Sequence, residues 1–175
     1  MDKITKLPKA YKKRLPDFDQ FMNSGASDSE LEEAEKHIEQ ELPKAYKQLL
    51  KVHNGEKKFL GTMGFAFLSI QELKQLWTFL ATAPSDYPPG SIYQEEMIKP
   101  VLYDRNRIPF AYDWSGNYLC IDNAPASTGN QGQIIYLPCG EPEPVSVLFN
   151  DFWEFIQFLI DSLNSGRLAL LDKRQ

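Results

Sequence analysis

The pattern of apolar residues changes from helical to extended along this chain, and that change constrains its fold most. From Ser27 to Leu80, apolar residues recur at three- and four-residue spacing, which is typical of amphipathic helices. The stretch from Phe59 to Leu68 interrupts this pattern and predicts one or two short strands, broken at Gly61 and Gly64. From Ile108 onward, short runs rich in β-branched and aromatic residues alternate with turn residues. Helices first, a sheet next and one closing helix predict an α+β domain.

Three helices are predicted in the first half from their start and stop signals. Ser27 with Glu30, and Ser69 with Glu72, have the spacing of a capping box. Pro43 ends the first helix and suits the first turn of the second, which an Asn-Gly pair then ends. The predicted apolar stripes are Leu31, Ala34, Ile38 and Leu42, then Tyr46, Leu49, Leu50 and His53, then Ile70, Leu73, Leu76, Trp77 and Leu80.

The second half predicts an antiparallel meander followed by a helix. The expected strands are residues 108–112, 118–122, 133–137 and 145–148, and residues 113–117 form the hairpin turn. Asn150 is expected to cap the last helix and Gly166 to end it. We expect a single domain in which the sheet packs against the N-terminal helix pair and the closing helix.

The predicted domain covers residues 27–166. Residues 1–26 alternate bases with Pro8 and Pro16, so we expect a basic N-terminal arm docked loosely on the domain. Residues 167–175 are expected to form a C-terminal tail. The proline-rich stretch that begins at Ala83 and extends to Asp104 is expected to be a loop or insertion.

Composition excludes several classes of protein. The 19 basic and 24 acidic residues give a net charge of −5, which repels nucleic-acid phosphate. The two cysteines form neither a disulfide framework nor a zinc motif, so no metal or cofactor is predicted. No stretch resembles a secretion signal or a bilayer span, so we expect a cytoplasmic protein without membrane contact.

Catalytic residues are scarce. His37 and His53 are both expected in helices, where a solvated or half-buried structural role explains them better than catalysis. Cys120 is expected to be a core residue, and Cys139 lies in a turn without an evident base. Residues 113–117 have too few carboxylates for a calcium loop, and an ordinary turn explains them. A small hydrolase using Cys139 or His53 is therefore the weakest hypothesis.

Acidic and aromatic residues provide the candidate binding surface. Seven acids lie within residues 28–41; they form either a solvated helix face or a surface that steers a basic protein. Trp114, at a turn tip, is either packed under the basic arm or exposed as an interface anchor. The predicted partner-binding residues are Asp113, Trp114, Tyr118, Asp122, Asn123, Glu141 and Glu143, with Glu32 and Glu39 on the helix.

The order of these motifs resembles the SUKH superfamily, the Smi/Knr family. Residues 38–46 (IEQELPKAY), continuing to Asn54-Gly55, are similar to its leucine-proline-x-x-tyrosine helix pair. Residues 108–113, 118–122, 132–136 and 149–152 are similar to its strands, glycine turn and final helix. The resemblance covers residues 27–163. The stretch from Ala83 to Asp104 is long for this family, and the basic arm has no counterpart in it.

The resemblance implies a domain that acts by binding and carries no catalytic residues. Bacterial members resemble immunity proteins that neutralise toxin domains, many of which are nucleases. We therefore expect a bacterial immunity protein whose acids cover the active surface of a basic toxin domain. A nuclease surface is positively charged because it must hold phosphate, so an acidic antagonist is complementary to it. The alternative implied by the fungal relatives is a regulatory scaffold of cell-wall synthesis. The resemblance assigns neither the toxin nor an oligomeric state.

Overall fold

A computed structural model describes residues 3–84, 88–140, 142–168 and 170 of the chain. In this part of the chain, five α-helices and five β-strands form one α+β domain, which confirms the predicted fold class. In chain order they are α1 (Lys6–Arg14), α2 (Asp28–Ile38), α3 (Lys44–Val52), β1 (Ala66–Phe67), α4 (Ile70–Thr82), β2 (Arg107–Tyr112), β3 (Asn117–Asp122), β4 (Gln133–Pro138), β5 (Ser146–Phe149) and α5 (Phe152–Ser165).

The sheet is the expected antiparallel meander. Its strands lie in sequence order, and each pairs antiparallel with the next. Tyr112 of β2 is opposite Tyr118 of β3, and Leu119 of β3 is opposite Tyr136 of β4. Since side chains alternate along a strand, this register places Leu119 and Tyr136 on the first face of the sheet and Tyr112 and Tyr118 on the second.

The first face of the sheet carries the main core. Tyr46 of α3 lies 6.0 Å from Phe110 and 5.0 Å from Phe152, measured between ring centroids. Phe110 and Phe155 are 5.2 Å apart, so β2, α3 and α5 meet in one aromatic cluster. The residues predicted to share this core do so: Tyr46, Leu49, Trp77, Phe152, Phe155 and Leu159.

The second face of the sheet is covered by the segment that precedes β2. Ile98 and Leu102 of this segment pack with Cys120 and Ile135 in a second, smaller apolar cluster. Arg107, which is 1 % exposed, holds the segment by donating hydrogen bonds to the carbonyl oxygens of residues 99, 101 and 102. The expected insertion is therefore part of the domain's packing.

The N-terminal segment differs from the loosely docked arm expected from the sequence. It contains α1, whose side chains Leu7, Ala10 and Tyr11 are buried in the main core. The Tyr11 hydroxyl lies 2.8 Å from the Thr62 hydroxyl. Pro8 is tolerated because it lies in the first turn of α1, where a backbone N–H would have no acceptor within the helix. Interleaved lysines obscured this apolar stripe in the sequence.

Two helix ends differ by a few residues from their predicted positions. Both predicted capping boxes are confirmed, but α2 ends at Ile38, with Glu39 in the left-handed region at φ 54°, before Pro43 is reached. Asp151, rather than Asn150, caps α5 by accepting the N–H of Glu154 at 2.8 Å. A residue with a suitable side chain close to a cap position can take the role of its neighbour.

Candidate functional site

The turn between β2 and β3 is built by two side chains. The Asp113 carboxylate accepts hydrogen bonds from the backbone N–H groups of Ser115 and Asn117, at 2.8 and 3.0 Å. The Asn117 amide donates to the other carboxylate oxygen of Asp113 at 2.6 Å. Both oxygens of Asp113 thus accept hydrogen bonds inside the turn, so this residue positions the turn.

A second turn supports the first. The N–H of Cys139 donates to the carbonyl of Gly116 at 3.1 Å, and the N–H of Gly140 donates to the Asn117 side chain at 3.1 Å. A Cβ on Gly140 would lie 2.1 Å from the carbonyl oxygen of Ser115, so only glycine permits this contact. The two turns form one rigid end of the sheet.

Trp114 is presented by this rigid end. Its backbone is in the left-handed region at φ 62°, which is costly for a tryptophan, and its side chain is 58 % exposed. The indole contacts Tyr112 edge-on, with the ring centroids 5.0 Å apart. The hypothesis that the basic arm covers Trp114 is therefore wrong. We call the exposed parts of Tyr112 and Trp114, with turn residues 113–116, the hairpin surface.

Tyr118 supports the hairpin surface from below and does not lie on it. Its ring stacks on Tyr112 at 4.6 Å, and the residue is 3 % exposed. Burial raises the pKa of the Tyr118 hydroxyl well above its ordinary value, so the group stays neutral. The expectation that Tyr118 contacts a partner is corrected by this burial; its role is to fix Tyr112.

The other predicted residues of this group are distributed differently. Glu143 is exposed in the connection that follows Gly140, at the same end of the sheet as Trp114. Glu141 lies outside the described residues. Asp122 lies at the opposite end of β3 and is 1 % exposed, accepting hydrogen bonds from Gln133 and from the N–H of Ala124.

Asp122 therefore has a structural role, which corrects the expected surface position. It lies opposite the buried Arg107 across β2 and β3. Burial raises the pKa of Asp122, although Arg107 and the Gln133 hydrogen bond act in the other direction. This network also holds the covering segment, since Gln133 donates to the carbonyl of Met97 at 2.9 Å.

Asn123 belongs to a different surface from Trp114. Its side chain donates to Gln40 at 3.0 Å, on the rim of a cleft of about 530 Å³ between the α2–α3 connection and the start of α5. The cleft is also lined by Gln131 and Trp153, which were not predicted from the sequence. No local signal could have identified them, because the cleft joins segments more than a hundred residues apart.

The acidic face of α2 is largely neutralised in the fold. Glu39 pairs with Arg105, while Glu32 is exposed and has no ion pair to a described residue. The remaining pairs are Asp28 with Lys51, Glu33 with Lys74, and Glu35 with Lys47. Of the two predicted contact residues on this helix, Glu32 alone keeps an unpaired charge.

The chemical environment of the cysteines and histidines does not favour catalysis. Burial raises the pKa of the Cys139 thiol to about 11 and raises the pKa of the Cys120 thiol well above its ordinary value, so neither is a thiolate at neutral pH. His53 contacts the carbonyl of Asn23 at 3.2 Å, and His37 lies 2.9 Å from the Thr78 hydroxyl. Within the described residues, no three His, Cys, Asp or Glu side chains converge as metal ligands.

No helix within the described ranges combines the length and apolar character that a bilayer span requires.

Two known proteins are similar in sequence to this chain. The chain is 26 % identical to a glucan synthesis regulatory protein of Neurospora crassa over 86 % of its own length and 35 % of the relative's. It is 23 % identical to the cell wall biosynthesis/cell cycle regulator smi1 of Schizosaccharomyces pombe, over 82 % of its length and 32 % of the relative's.

The chain thus spans about a third of the length of these curated relatives. The family model described as SMI1/KNR4 (SUKH-1) matches residues 25–157, which include both helices of the pair, the whole sheet and the start of α5. The resemblance inferred from the sequence is confirmed by this match. The chain belongs to the SMI1/KNR4 (SUKH-1) family.

Proposed function

We propose that this chain is a non-enzymatic regulatory protein that binds a partner protein through the hairpin surface. The observation that carries the proposal is Trp114, an exposed tryptophan in a strained backbone conformation on a rigid turn. Strain of this kind persists where the surroundings impose it, and it is concentrated at ligand-contacting sites. Tryptophan is also among the residues most enriched at the energetic centres of interfaces.

The names of the relatives support regulation rather than toxin neutralisation. One is a glucan synthesis regulatory protein and the other a cell wall biosynthesis and cell cycle regulator. By analogy, we propose that the partner is a protein of cell-wall synthesis or its control. A cytoplasmic location, expected from the sequence, stays a prediction.

Neutralisation of a basic toxin domain is the second candidate function. The observations in its favour are the net charge of −5 and the exposed carboxylate of Glu32 on α2, which makes no ion pair with any described residue. Exposed acids accelerate encounter with a basic partner, although the ion pairs of α2 leave fewer free charges than the sequence indicates. In this function the hairpin surface and α2 would both face the toxin.

The experiment is affinity capture from the native cell with three baits. These are the wild type, Trp114→Asn, and Tyr93→Asn, which removes an aromatic side chain that is 63 % exposed and is not part of the hairpin surface. We expect one partner to be lost from the Trp114→Asn bait and kept by the other two. That partner is then expressed alone: growth arrest supports neutralisation, and normal growth with altered wall synthesis supports regulation.

Two results would contradict the proposal. A partner retained equally by all three baits would remove the hairpin surface from the contact. A hydrolytic activity of the purified protein that survives repurification and is lost in Cys139→Ala or His53→Ala would show an enzyme instead.

A further inference from the structure

Helix α1 carries a strong positive charge in an acidic protein. Five of its nine residues are basic and none is acidic, whereas the whole chain has a net charge of −5. The helix also precedes the part of the chain that matches the family model, which begins at residue 25. Helix α1 therefore lies outside the matched part of the chain.

The charges of α1 form an ordered outer face. Lys6, Lys9 and Lys13 are exposed, and their i, i+3, i+7 spacing aligns them in one row along the helix. The opposite side, with Leu7 and Tyr11, is buried in the core, so the row cannot turn inward. We call these three lysines the α1 lysine row.

The α1 lysine row is left largely without counter-charge. Lys6 and Lys9 have no ion pair to any described residue, and Lys13 donates to the neutral side chain of Asn164 at 2.8 Å. By contrast, three carboxylates of the acidic helix α2 and that of Glu39, which follows it, are paired with bases. Lys12, which lies outside the row, pairs with Asp19. Among the described residues, ion pairs thus offset most acids of α2 and none of the three lysines of the row.

We propose that the α1 lysine row binds an acidic segment of a partner protein. Exposed ammonium groups in a row attract carboxylates by charge, and lysine, unlike arginine, does so as a point charge without bidentate geometry. The surface is separate from the hairpin surface, so the inference goes beyond the proposed function and does not rest on it.

Other polyanions fit this face less well. Single-stranded nucleic acids need exposed aromatic rings for stacking, and the one aromatic of α1, Tyr11, is buried. Helix α1 packs against α5, which exposes Glu154 and Asp161, so the phosphates of a wide duplex would approach these acids. A membrane-surface helix inserts its apolar face, whereas the apolar face of α1 is occupied by the core.

The test titrates the full chain with a short glutamate-rich peptide as probe. The Lys6→Gln/Lys9→Gln variant is compared with Lys36→Gln/Lys44→Gln, which removes two exposed helical lysines that also have no ion pair to a described residue. At about half a kcal/mol per exposed pair, the first variant should bind the probe about fivefold more weakly. The second should bind like the wild type.

Ionic strength and competing probes complete the experiment. Wild-type binding should weaken as the screening length falls from about 30 Å at 0.01 M salt to about 8 Å at 0.15 M. The proposal is overturned if both variants weaken binding equally, or if binding is indifferent to salt. It is also overturned if an oligonucleotide of equal charge, or vesicles containing anionic lipid, bind more tightly than the peptide through the same two lysines.

Discussion

Replacing Trp114 with asparagine should separate binding from stability. The side chain is 58 % exposed, so about two fifths of an indole that can bury about 250 Å² is covered, which is about 100 Å². At about 25 cal/mol per Å², burial of this area contributes at most about 2.5 kcal/mol to the free energy of unfolding. An asparagine side chain would retain the contacts nearest the backbone and so part of this contribution. Asparagine also tolerates the left-handed conformation at φ 62°, so the substitution relieves about 1 kcal/mol of backbone strain.

These terms nearly cancel, so we expect the free energy of unfolding to fall by no more than about 1 kcal/mol. For a domain of this size that is a decrease in Tm of about 2 to 4 °C. Partner affinity should fall by about 30-fold or more, because an anchor at the centre of an interface contributes about 2 kcal/mol. Urea unfolding and binding to the captured partner measure the two quantities on the same variant.

Two outcomes would refute this reasoning. A loss of more than about 3 kcal/mol of unfolding free energy would mean that the ring is mainly a structural support for Tyr112. An unchanged partner affinity in a stable variant would mean that the strained backbone of Trp114 has no binding role. A Tyr93→Asn variant is the matched control, since it also removes an exposed aromatic side chain.

Three further predictions concern the framework of the site, and urea unfolding tests each. Leu159→Ala should lower the free energy of unfolding by about 2 to 5 kcal/mol because the Leu159 side chain is fully buried. The control Phe158→Ala, at a neighbouring residue that is 40 % exposed, should lower it much less, and equal losses would contradict this prediction. Burial raises the pKa of Glu56 to about 7 from 4.5, so the folded state favours the protonated form. Wild-type stability relative to Glu56→Gln should therefore be highest below about pH 4.5 and fall as the pH rises through 7, by up to a few kcal/mol; an increase with pH would refute the shift. Gly140→Ala should lower the free energy of unfolding by about 1 to 3 kcal/mol, because the new Cβ would lie 2.1 Å from an oxygen of the neighbouring turn. The control Gly90→Ala should change it little, because there is open space around Gly90. The reverse order would show that the two turns are not packed together.

The sequence alone determined the elements whose signals are local. The capping boxes at Ser27 and Ser69 located the starts of α2 and α4, and Gly166 located the end of α5. Alternation and turn residues located the central strands within a residue or two. Helix caps and turns depend on hydrogen bonds between residues three or four positions apart, so the residues that decide them are neighbours in the sequence.

The tertiary structure decided which side chains remain available for binding. Trp114 and Tyr118 were both predicted to contact a partner, yet Trp114 is exposed and Tyr118 is buried beneath Tyr112. Asp122 lost its expected surface position because Arg107 and the segment before β2 close the second face of the sheet. A strand's alternation shows that two faces exist but not which of them a distant segment will cover. Burial and charge pairing depend on residues far apart in the chain, and only their packing brings them together.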